Sequence, residues 1–193
     1  MLSDSSKKGL TIKSGWLADV EKLSSPHFSP RDQSDAISLL VIHNISLPAG
    51  KFSGNYISDL FLGCLDCEAD ESFTDLLGVR VSAHCLIKRD GSIIQYVSFN
   101  DKAWHAGISC FNGREQCNDF SIGVELEGTD TIPYTSEQYQ QLINLTDCLQ
   151  DEFPAIIADN IVGHCHVAPS RKTDPGKVFD WPYFRNNLQS SHL

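Results

Sequence analysis

The residues of this chain that could do chemistry are concentrated in one short segment, residues 162–176, which reads VGHCHVAPSRKTDPG. Proline lacks a backbone N–H and fixes its φ angle, so Pro169 and Pro175 exclude a continuous helix or a central strand here. The segment is therefore predicted to be a loop that leaves an ordered element near Gly163. Loops held by a rigid scaffold commonly carry binding and catalytic groups.

Two side chains of this loop are of the types that bind zinc. His164 and Asp174 offer an imidazole nitrogen and carboxylate oxygens, and Lys172 places a mobile positive charge between them. A catalytic zinc typically has three protein ligands and an open position for water, so a further ligand must come from elsewhere in the chain. His43 is the candidate, because it stands where a short apolar run opens into polar residues.

Glu125 completes a set that could hydrolyse a carbonyl compound. Two histidines and one carboxylate leave a bound zinc with residual positive charge, which lowers the pKa of a bound water towards neutrality. A carboxylate that does not bind the metal can then take the proton of the water, and a cation such as Lys172 can stabilise the oxyanion. The residue pattern alone leaves other interpretations open: His43 as a core residue, Glu125 in an ion pair and Lys172 as a solvated cation.

The elements that must position these residues are predicted from hydrophobic periodicity. The apolar run 37–44 is typical of a buried strand that ends near His43, and residues 120–128 form a strand with Glu125 and Glu127 on one face. Thr135 and Gln138 match a capping box that begins a helix over 136–150. The other predicted elements are strands over 79–87 and 93–97 joined by an Asp-Gly turn, a helix over 55–64 with Asn55 as N-cap, and a helix over 181–188 capped by Asp180.

The composition indicates a single globular domain. The 193 residues are 41% hydrophobic with a formal net charge of −10 at pH 7, which argues against nucleic acid or an anionic membrane surface as a partner. No N-terminal apolar run is long enough for a signal peptide, and none reaches the roughly 18 apolar residues of a membrane span. The seven cysteines are interpreted as free thiols, and the predicted location is cytoplasmic.

Three segments are predicted along the chain: a flexible leader over residues 1–15, a folded domain over 16–188 and a tail over 189–193. Residues 24–36 carry two prolines and many turn formers, so they are interpreted as a surface loop in which His27 is solvated. Cys64 and Cys67 have metal-ligand spacing, but no second cysteine pair accompanies them, and they are interpreted as incidental thiols.

Five segments, taken in order, resemble one known family. They are LLVIHNISLP, VSAHCLIKRDG, AWHAG, CNDFSIGVELEGTD and GHCHVAPSRKTDPG. The family is that of the zinc-dependent N-acetylmuramoyl-L-alanine amidases of the amidase-2 or peptidoglycan-recognition-like type. The resemblance runs from about Trp16 to Trp181 and is closest to cytoplasmic members that act on 1,6-anhydro-muropeptides in cell-wall recycling. It implies an α/β fold with a central twisted, mixed β-sheet flanked by helices and a zinc cleft at one side.

The resemblance also implies roles for the chemical residues. It implies one zinc ion per chain, with His43, His164 and Asp174 as ligands. It implies Glu125 as general base and later acid, with Lys172 stabilising the oxyanion. The implied reaction is attack of zinc-bound water on the amide between the lactyl group of (1,6-anhydro-)N-acetylmuramic acid and L-alanine of the stem peptide.

Four more residues match positions that line the sugar and peptide groove in the family: Asn44, Arg80, Trp104 and Leu126. Arg80 suits a carboxylate, because its guanidinium can donate two parallel hydrogen bonds. Trp104 suits the apolar face of a sugar. These four are therefore predicted to bind substrate.

Four polar positions call for separate interpretations. His84 and His105 match the family as non-ligands, and they are expected to shape the pocket or to hydrogen-bond to the groups that line it. His166 stands where close relatives have aspartate; it is interpreted as a surface residue, with an alternative metal ligand as the second possibility. Gln116 stands where close relatives have arginine, which removes one expected contact to a substrate carboxylate.

Two other functions fit parts of the pattern. A binding module would hold peptidoglycan fragments without cleaving them, but such members typically lose a zinc ligand and the whole set is present here. A secreted autolysin or a phage endolysin would act on intact wall. The lack of a signal peptide and of a wall-binding repeat argues against the autolysin, and the close match of the five segments argues against the endolysin. The prediction is a monomeric amidase with a small-molecule substrate and no nucleic-acid or membrane partner.

Overall fold

The computed structural model describes residues 9–32 and 34–189, and two long neighbouring strands form the middle of its main sheet. The strands in this part of the chain are β1 (Ile12–Lys13), β2 (Trp16–Leu17), β3 (Glu21–Lys22), β4 (Phe28–Pro30), β5 (Leu39–Ile45), β6 (Cys85–Ile87), β7 (Ile93–Gln95), β8 (Asp101–Ala103), β9 (Cys110–Phe111), β10 (Arg114–Glu115), β11 (Ser121–Glu127) and β12 (Ile161–Gly163). The α-helices are α1 (Tyr56–Leu62), α2 (Ser136–Glu152), α3 (His164–Val167) and α4 (Trp181–Asn186). Three short 3₁₀ helices cover Glu71–Leu76, Cys117–Asp119 and Ala158–Asn160.

The main sheet has the strand order β12-β5-β11-β6-β7-β3. The pairs β12–β5, β5–β11, β11–β6 and β7–β3 are parallel, whereas β6 and β7 form an antiparallel pair around the Asp-Gly turn. The prediction of a mixed α/β fold with a central mixed sheet and flanking helices is thus confirmed. Parallel strands point their carboxyl ends to the same edge, so the ends of β5, β11 and β12 lie together.

The two faces of the sheet carry different side chains, because successive residues of a strand point to opposite faces. On one face, Leu40 and Ile42 of β5 and Ile122, Val124 and Leu126 of β11 pack with α2 in the largest core cluster. The opposite face carries the alternate residues. There β5 contributes Leu39 and Val41 to a smaller cluster near Phe120 and Val162. This second face leads, by the same alternation, to His43 and Glu125.

Helix α2 is the element that the sequence signals described most closely. Thr135 accepts a hydrogen bond from the backbone N–H of Gln138, and the Gln138 side chain returns to Thr135, which forms the predicted capping box. The predicted strands that end near His43 and contain Glu125 are also confirmed, as β5 and β11. Asp180 caps α4 by accepting from the N–H of Tyr183, as predicted.

Several local predictions were wrong in extent or in kind. Only residues 85–87 of the predicted strand 79–87 are in a strand, and Asn55 precedes α1 without a side-chain capping bond. Residues 24–36 are not simply a surface loop, since they contain β4 and bury His27. The loop predicted after Gly163 begins with the four-residue helix α3, because Pro169 comes late enough to permit one helical turn.

The boundaries of the folded part also differ from the prediction. Ile12 and Lys13 of the predicted leader pair with Trp16 and Leu17, and Leu10 packs against the main core, so ordered structure begins before residue 16. The rest of the leader, residues 1–8, and residues 190–193 of the predicted tail lie outside the described residues. All seven cysteines are free. Within the described ranges, no helix combines the length and the apolar character that crossing a membrane requires.

Candidate active site

His43 lies at the carboxyl end of β5 and is almost fully buried, with 1% of its side chain exposed. The buried run 39–42 explains this placement, since it holds the strand in the centre of the sheet between β11 and β12. His43 Nδ1 lies 3.0 Å from His164 Nδ1 and 3.0 Å from Asp174 Oδ2. His43 is therefore not an isolated core histidine.

His164 and Asp174 are brought together by the backbone of the loop between them. His164 is the first residue of α3, directly after β12. The N–H of Cys165 donates to the carbonyl of Asp174 at 2.9 Å, which closes the loop and turns the carboxylate towards His164. Pro175 packs so closely on Gly163 that a Cβ there would lie 2.5 Å from Pro175 Cδ. The prolines thus shape the loop that spaces the two candidate ligands.

These three residues form a converging set of acceptors. His164 Nε2 lies 3.1 Å from the carbonyl of Ala106 and must donate to it, because a carbonyl only accepts. His164 Nδ1 therefore carries a lone pair, and it faces Asp174 Oδ2 at 3.0 Å. Two acceptors at this distance, with His43 Nδ1 beside both, require a cation or a proton between them. His43, His164 and Asp174 could hold a metal ion, and their nitrogen and carboxylate donors are of the kind that zinc takes.

The protonation tendencies of these groups agree with a metal-binding role. Burial lowers the pKa of His43 to about 4, so the imidazole is neutral near pH 7. Burial by itself would raise the pKa of Asp174, but its hydrogen bonds with His164 and His43 outweigh burial and bring it below the usual range. A neutral imidazole and an ionised carboxylate are the forms in which these side chains bind metals.

Glu125 lies on β11 beside His43, with 4.0 Å between Glu125 Oε1 and His43 Nδ1. Its Oε2 atom is buried and has no hydrogen-bond partner. Burial and then the charge of Asp174 raise the pKa of Glu125 well above its ordinary value, while the positive charge of Lys172 opposes this shift. The interpretation of Glu125 as a simple ion-pair residue fits poorly with an unpartnered buried oxygen.

A pocket of about 310 Å³ opens onto this cluster. Seven of the nine predicted site residues line it: His43, Asn44, Trp104, Glu125, His164, Lys172 and Asp174. Apolar residues including Leu47, Leu60 and Val79 also line it. A second and more open pocket of about 760 Å³ adjoins it across Asn44, Lys172 and Asp174. The cluster is thus accessible from a groove large enough for more than one chemical group.

Two predicted substrate residues do not line the pocket. Arg80 is exposed and lines a neighbouring pocket of about 260 Å³, which shares Leu60 and Val79 with the first. Leu126 is 1% exposed and belongs to the core under α2. Alternation along β11 points its side chain away from the face that carries Glu125, and a role of Leu126 in substrate binding stays a prediction.

The other polar positions that were interpreted separately from the sequence lie in different surroundings. His105 lies against His43, with 2.9 Å between His105 Nδ1 and His43 Nε2. His84 is fully buried and accepts the N–H of Gly123 at Nδ1. His166 is exposed, as predicted, and its Nδ1 accepts the N–H of Gly163 at the start of α3. Gln116 is exposed and lies outside the pocket lining.

Sequence reasoning missed the contribution of the segment before β5. Trp104 Nε1 donates to Ser29 Oγ at 2.7 Å, and the Trp104 ring stacks with His27 at a centroid distance of 6.0 Å. Arg31 donates hydrogen bonds to the carbonyls of Phe99, Asn118, Asp119 and Ser121. The segment therefore supports one wall of the pocket and the start of β11. No local pattern signals this, because every partner is distant in sequence.

Comparisons with known proteins give consistent results. A family model described as N-acetylmuramoyl-L-alanine amidase matches residues 33–177. The 1,6-anhydro-N-acetylmuramyl-L-alanine amidase AmpD of Salmonella typhimurium (strain SL1344) is 57% identical over 171 residues, which covers 89% of this chain and 91% of that protein. The family match includes both candidate ligand segments and β11.

Solved structures are similar over most of the chain. A crystal structure of a Se-Met AmpD derivative matches with a TM-score of 0.89 and 54% identity, over 92% of this chain and 99% of that one. The N-acetylmuramyl-L-alanine amidase AmiD from E. coli, in complex with anhydro-N-acetylmuramic acid-L-Ala-D-gamma-Glu-L-Lys, matches with a TM-score of 0.59 and 29% identity, over 94% of this chain and 66% of that one. The overall likeness thus extends to a protein with a bound muropeptide.

Proposed function

This chain belongs to the N-acetylmuramoyl-L-alanine amidase family, and from that premise we propose that it hydrolyses 1,6-anhydro-muropeptides with the help of one zinc ion. The bond cleaved is the amide between the lactyl group of anhydro-N-acetylmuramic acid and L-alanine of the stem peptide. The observation that carries this proposal is the position of the Glu125 carboxylate: its Oε2 atom is buried without a hydrogen-bond partner, and the group lies directly beside the cluster of His43, His164 and Asp174.

His43, His164 and Asp174 would hold the zinc ion. When bound, zinc supplies the Lewis acidity that lowers the pKa of an attacking water and polarises the amide carbonyl. The three ligands are positioned by β5, by β12 and by the loop closed by the Cys165 hydrogen bond, so they need little rearrangement to bind the ion. A fixed ligand set reduces the entropic cost of binding, which is the usual advantage of preorganisation.

Glu125 moves the proton in this mechanism. Its carboxylate takes a proton from the attacking water as the new C–O bond forms, and then gives that proton to the alanine nitrogen as the C–N bond breaks. Burial favours a raised pKa of Glu125, which suits a group that must both accept and return a proton. Lys172 lines the same pocket, and its positive charge would stabilise the negative charge that develops on the amide oxygen.

Substrate groups would occupy the groove around this centre. Trp104 offers an apolar surface for the sugar, and Asn44 is held in place by donating to Asp130 at 2.8 Å. Arg80 lies in the neighbouring pocket, where its exposed guanidinium could reach a peptide carboxylate at the far end of the groove. Leu126 has no part in this proposal.

The cellular role follows from the substrate. A soluble muropeptide with an anhydro sugar is a product of cell-wall turnover, so the enzyme would act in peptidoglycan recycling as a cytoplasmic monomer. The net charge of −10 argues against nucleic acid or an anionic membrane as a partner. A non-catalytic binding module remains the competing function, and a turnover measurement separates the two.

The test is mass spectrometry of anhydro-N-acetylmuramyl-tripeptide incubated with the zinc-loaded protein. The expected products are anhydro-N-acetylmuramic acid and a tripeptide with a free alanine amine. The same peptide on the non-anhydro sugar, and insoluble cell wall, should be cleaved more slowly. Binding without cleavage would support the binding module instead, and cleavage between two amino acids would make the protein a peptidase.

A further inference from the structure

The imidazole of His43 is connected to the interior of the protein by three successive hydrogen bonds, which begin at Nε2, the nitrogen that does not face His164 and Asp174. His43 Nε2 lies 2.9 Å from His105 Nδ1, and His105 Nε2 lies 3.1 Å from Ser121 Oγ. Ser121 Oγ lies 2.6 Å from the carbonyl of Cys117. Each imidazole uses its second nitrogen in the next contact, so the protonation state of one ring determines that of its neighbour.

The direction of these bonds is set at the Ser121 end. A carbonyl can only accept, and a serine hydroxyl has a single proton, so the short contact at 2.6 Å places that proton on the bond to Cys117. Ser121 Oγ must then accept from His105, which puts the His105 proton on Nε2. His105 Nδ1 becomes an acceptor and takes the proton of His43 Nε2. His43 Nδ1 is left with a free lone pair.

The opposite placement of the protons on these rings would prevent His43 from binding a metal ion. If Ser121 donated to His105, the proton of His105 would sit on Nδ1, and His43 would have to accept at Nε2. A neutral His43 would then carry its proton on Nδ1, the atom that lies 3.0 Å from both His164 Nδ1 and Asp174 Oδ2. A protonated nitrogen cannot bind a metal ion. The two tautomers therefore correspond to a metal-ready and a metal-blocked state of His43.

Strand β11 stabilises this arrangement of hydrogen bonds. Ser121, Gly123 and Glu125 alternate along one face of it. A Cβ on Gly123 would lie 2.4 Å from Cγ and Nδ1 of His105, so only glycine lets the ring rest against the strand. Arg31 Nη2 donates to the carbonyl of Ser121 at 2.6 Å and so holds the backbone at the start of the strand. Ser121 itself is fully buried, which keeps water from competing for its hydroxyl.

We propose that Ser121 is a positioning residue that acts through His105 to hold His43 in the tautomer with a free Nδ1, ready to bind the metal. The proposal rests on the metal site of the proposed function. Ser121 touches neither the metal nor the substrate. Partners of this kind, which orient a ligand histidine, typically change metal affinity by about 10- to 100-fold when they are removed.

The first test measures zinc affinity by competition with a chromogenic chelator. Ser121→Ala should bind zinc roughly 10- to 100-fold more weakly than the wild-type protein. Ser58→Ala is the matched control, because it removes a buried hydroxyl whose 2.7 Å hydrogen bond is to Tyr96, away from the histidines. It should leave zinc affinity within about twofold of wild type. Equal affinities for wild type and Ser121→Ala would overturn the proposal.

The second test begins with the wild-type protein, so its first result does not depend on whether a variant folds. Nitrogen-15 NMR of the histidine rings in the metal-free wild-type protein should show the His105 proton on Nε2. In Ser121→Ala the Nδ1 tautomer should become populated, a change that mere loss of packing does not produce. A wild-type His105 protonated on Nδ1 would refute the proposal. If the wild-type protein binds no zinc at all, the metal site of the proposed function fails, whatever tautomer His105 shows.

Discussion

His43 and Glu125 are direct neighbours on adjacent parallel strands, paired in register between β5 and β11, with 4.0 Å between Nδ1 and Oε1. The candidate ligand and the candidate base are therefore held by the same backbone hydrogen bonds that form the centre of the sheet. Sites on rigid strands keep their geometry better than sites on loops. His164 and Asp174, which come from α3 and the loop after it, approach this fixed pair from one side.

Replacing Glu125 by alanine should abolish most hydrolysis and leave the metal in place. General base catalysis typically contributes about a hundredfold to ten-thousandfold, so kcat should fall by at least about a hundredfold. Glu127→Gln is the control, because Glu127 lies on the same strand and lines neither pocket of the groove. Steady-state kinetics with metal analysis checks both parts. Activity of Glu125→Ala above a tenth of wild type would eliminate Glu125 as the base.

The zinc content should be about one ion per chain, because the three candidate ligands form a single cluster. His164→Ala and Asp174→Ala should each lose the metal during dialysis against a mild chelator, as measured by inductively coupled plasma mass spectrometry. His166→Ala is the matched control, since this exposed histidine is two residues away. It should retain zinc. Loss of zinc from His166→Ala would make His166 a ligand after all, and wild-type activity in excess chelator would exclude a metallo-hydrolase.

Glu125→Gln should make the metal-free protein more stable at neutral pH. Burial raises the pKa of Glu125 well above its ordinary value, so the native state favours the protonated carboxyl. The stabilising contribution of the Glu125 proton is therefore fully present below the ordinary pKa of glutamate. This contribution is lost as the pH rises from there through the raised native pKa. Glutamine stays neutral, so its advantage should grow as the pH rises towards 7 and should vanish below about pH 4.

Thermal denaturation of the metal-free proteins across pH measures this difference. Each kcal/mol corresponds to about 2–4 °C in Tm for a domain of this size, so a gain of a few degrees is readily detected. Glu137→Gln, at an exposed position, should show no such gain at pH 7. A wild-type protein that is the more stable of the two at pH 7 would mean that Glu125 is ionised and well solvated in the fold.

Arg31→Ala should destabilise the protein strongly. The guanidinium donates to four carbonyls around Phe99 and the start of β11, and these would be left without partners. Unsatisfied buried polar groups cost about 1–3 kcal/mol each, so a loss of at least about 3 kcal/mol is expected. Urea denaturation measures it. Arg114→Ala, which removes a half-exposed pair with Asp35, should cost no more than about 1 kcal/mol.

Local sequence signals were sufficient for much of the framework. The period of two along β5 and β11 and the capping box of α2 act between residues close in the chain, so they could be recognised without coordinates. The same alternation separates Glu125 from Leu126, and it argues against a substrate role for the Leu126 side chain. The resemblance of five segments to one family supplied the ligand set, which residue spacing alone left open.

The tertiary structure decided which distant residues meet. Burial of His27, the contacts of Arg31 with the start of β11 and the bonds that join Ser121, His105 and His43 all depend on chain segments brought together by folding. The placement of Arg80 in a neighbouring pocket is of the same kind. Such contacts produce no periodic pattern in the sequence, because each is made by a single side chain whose partner is determined by the packing of the whole sheet.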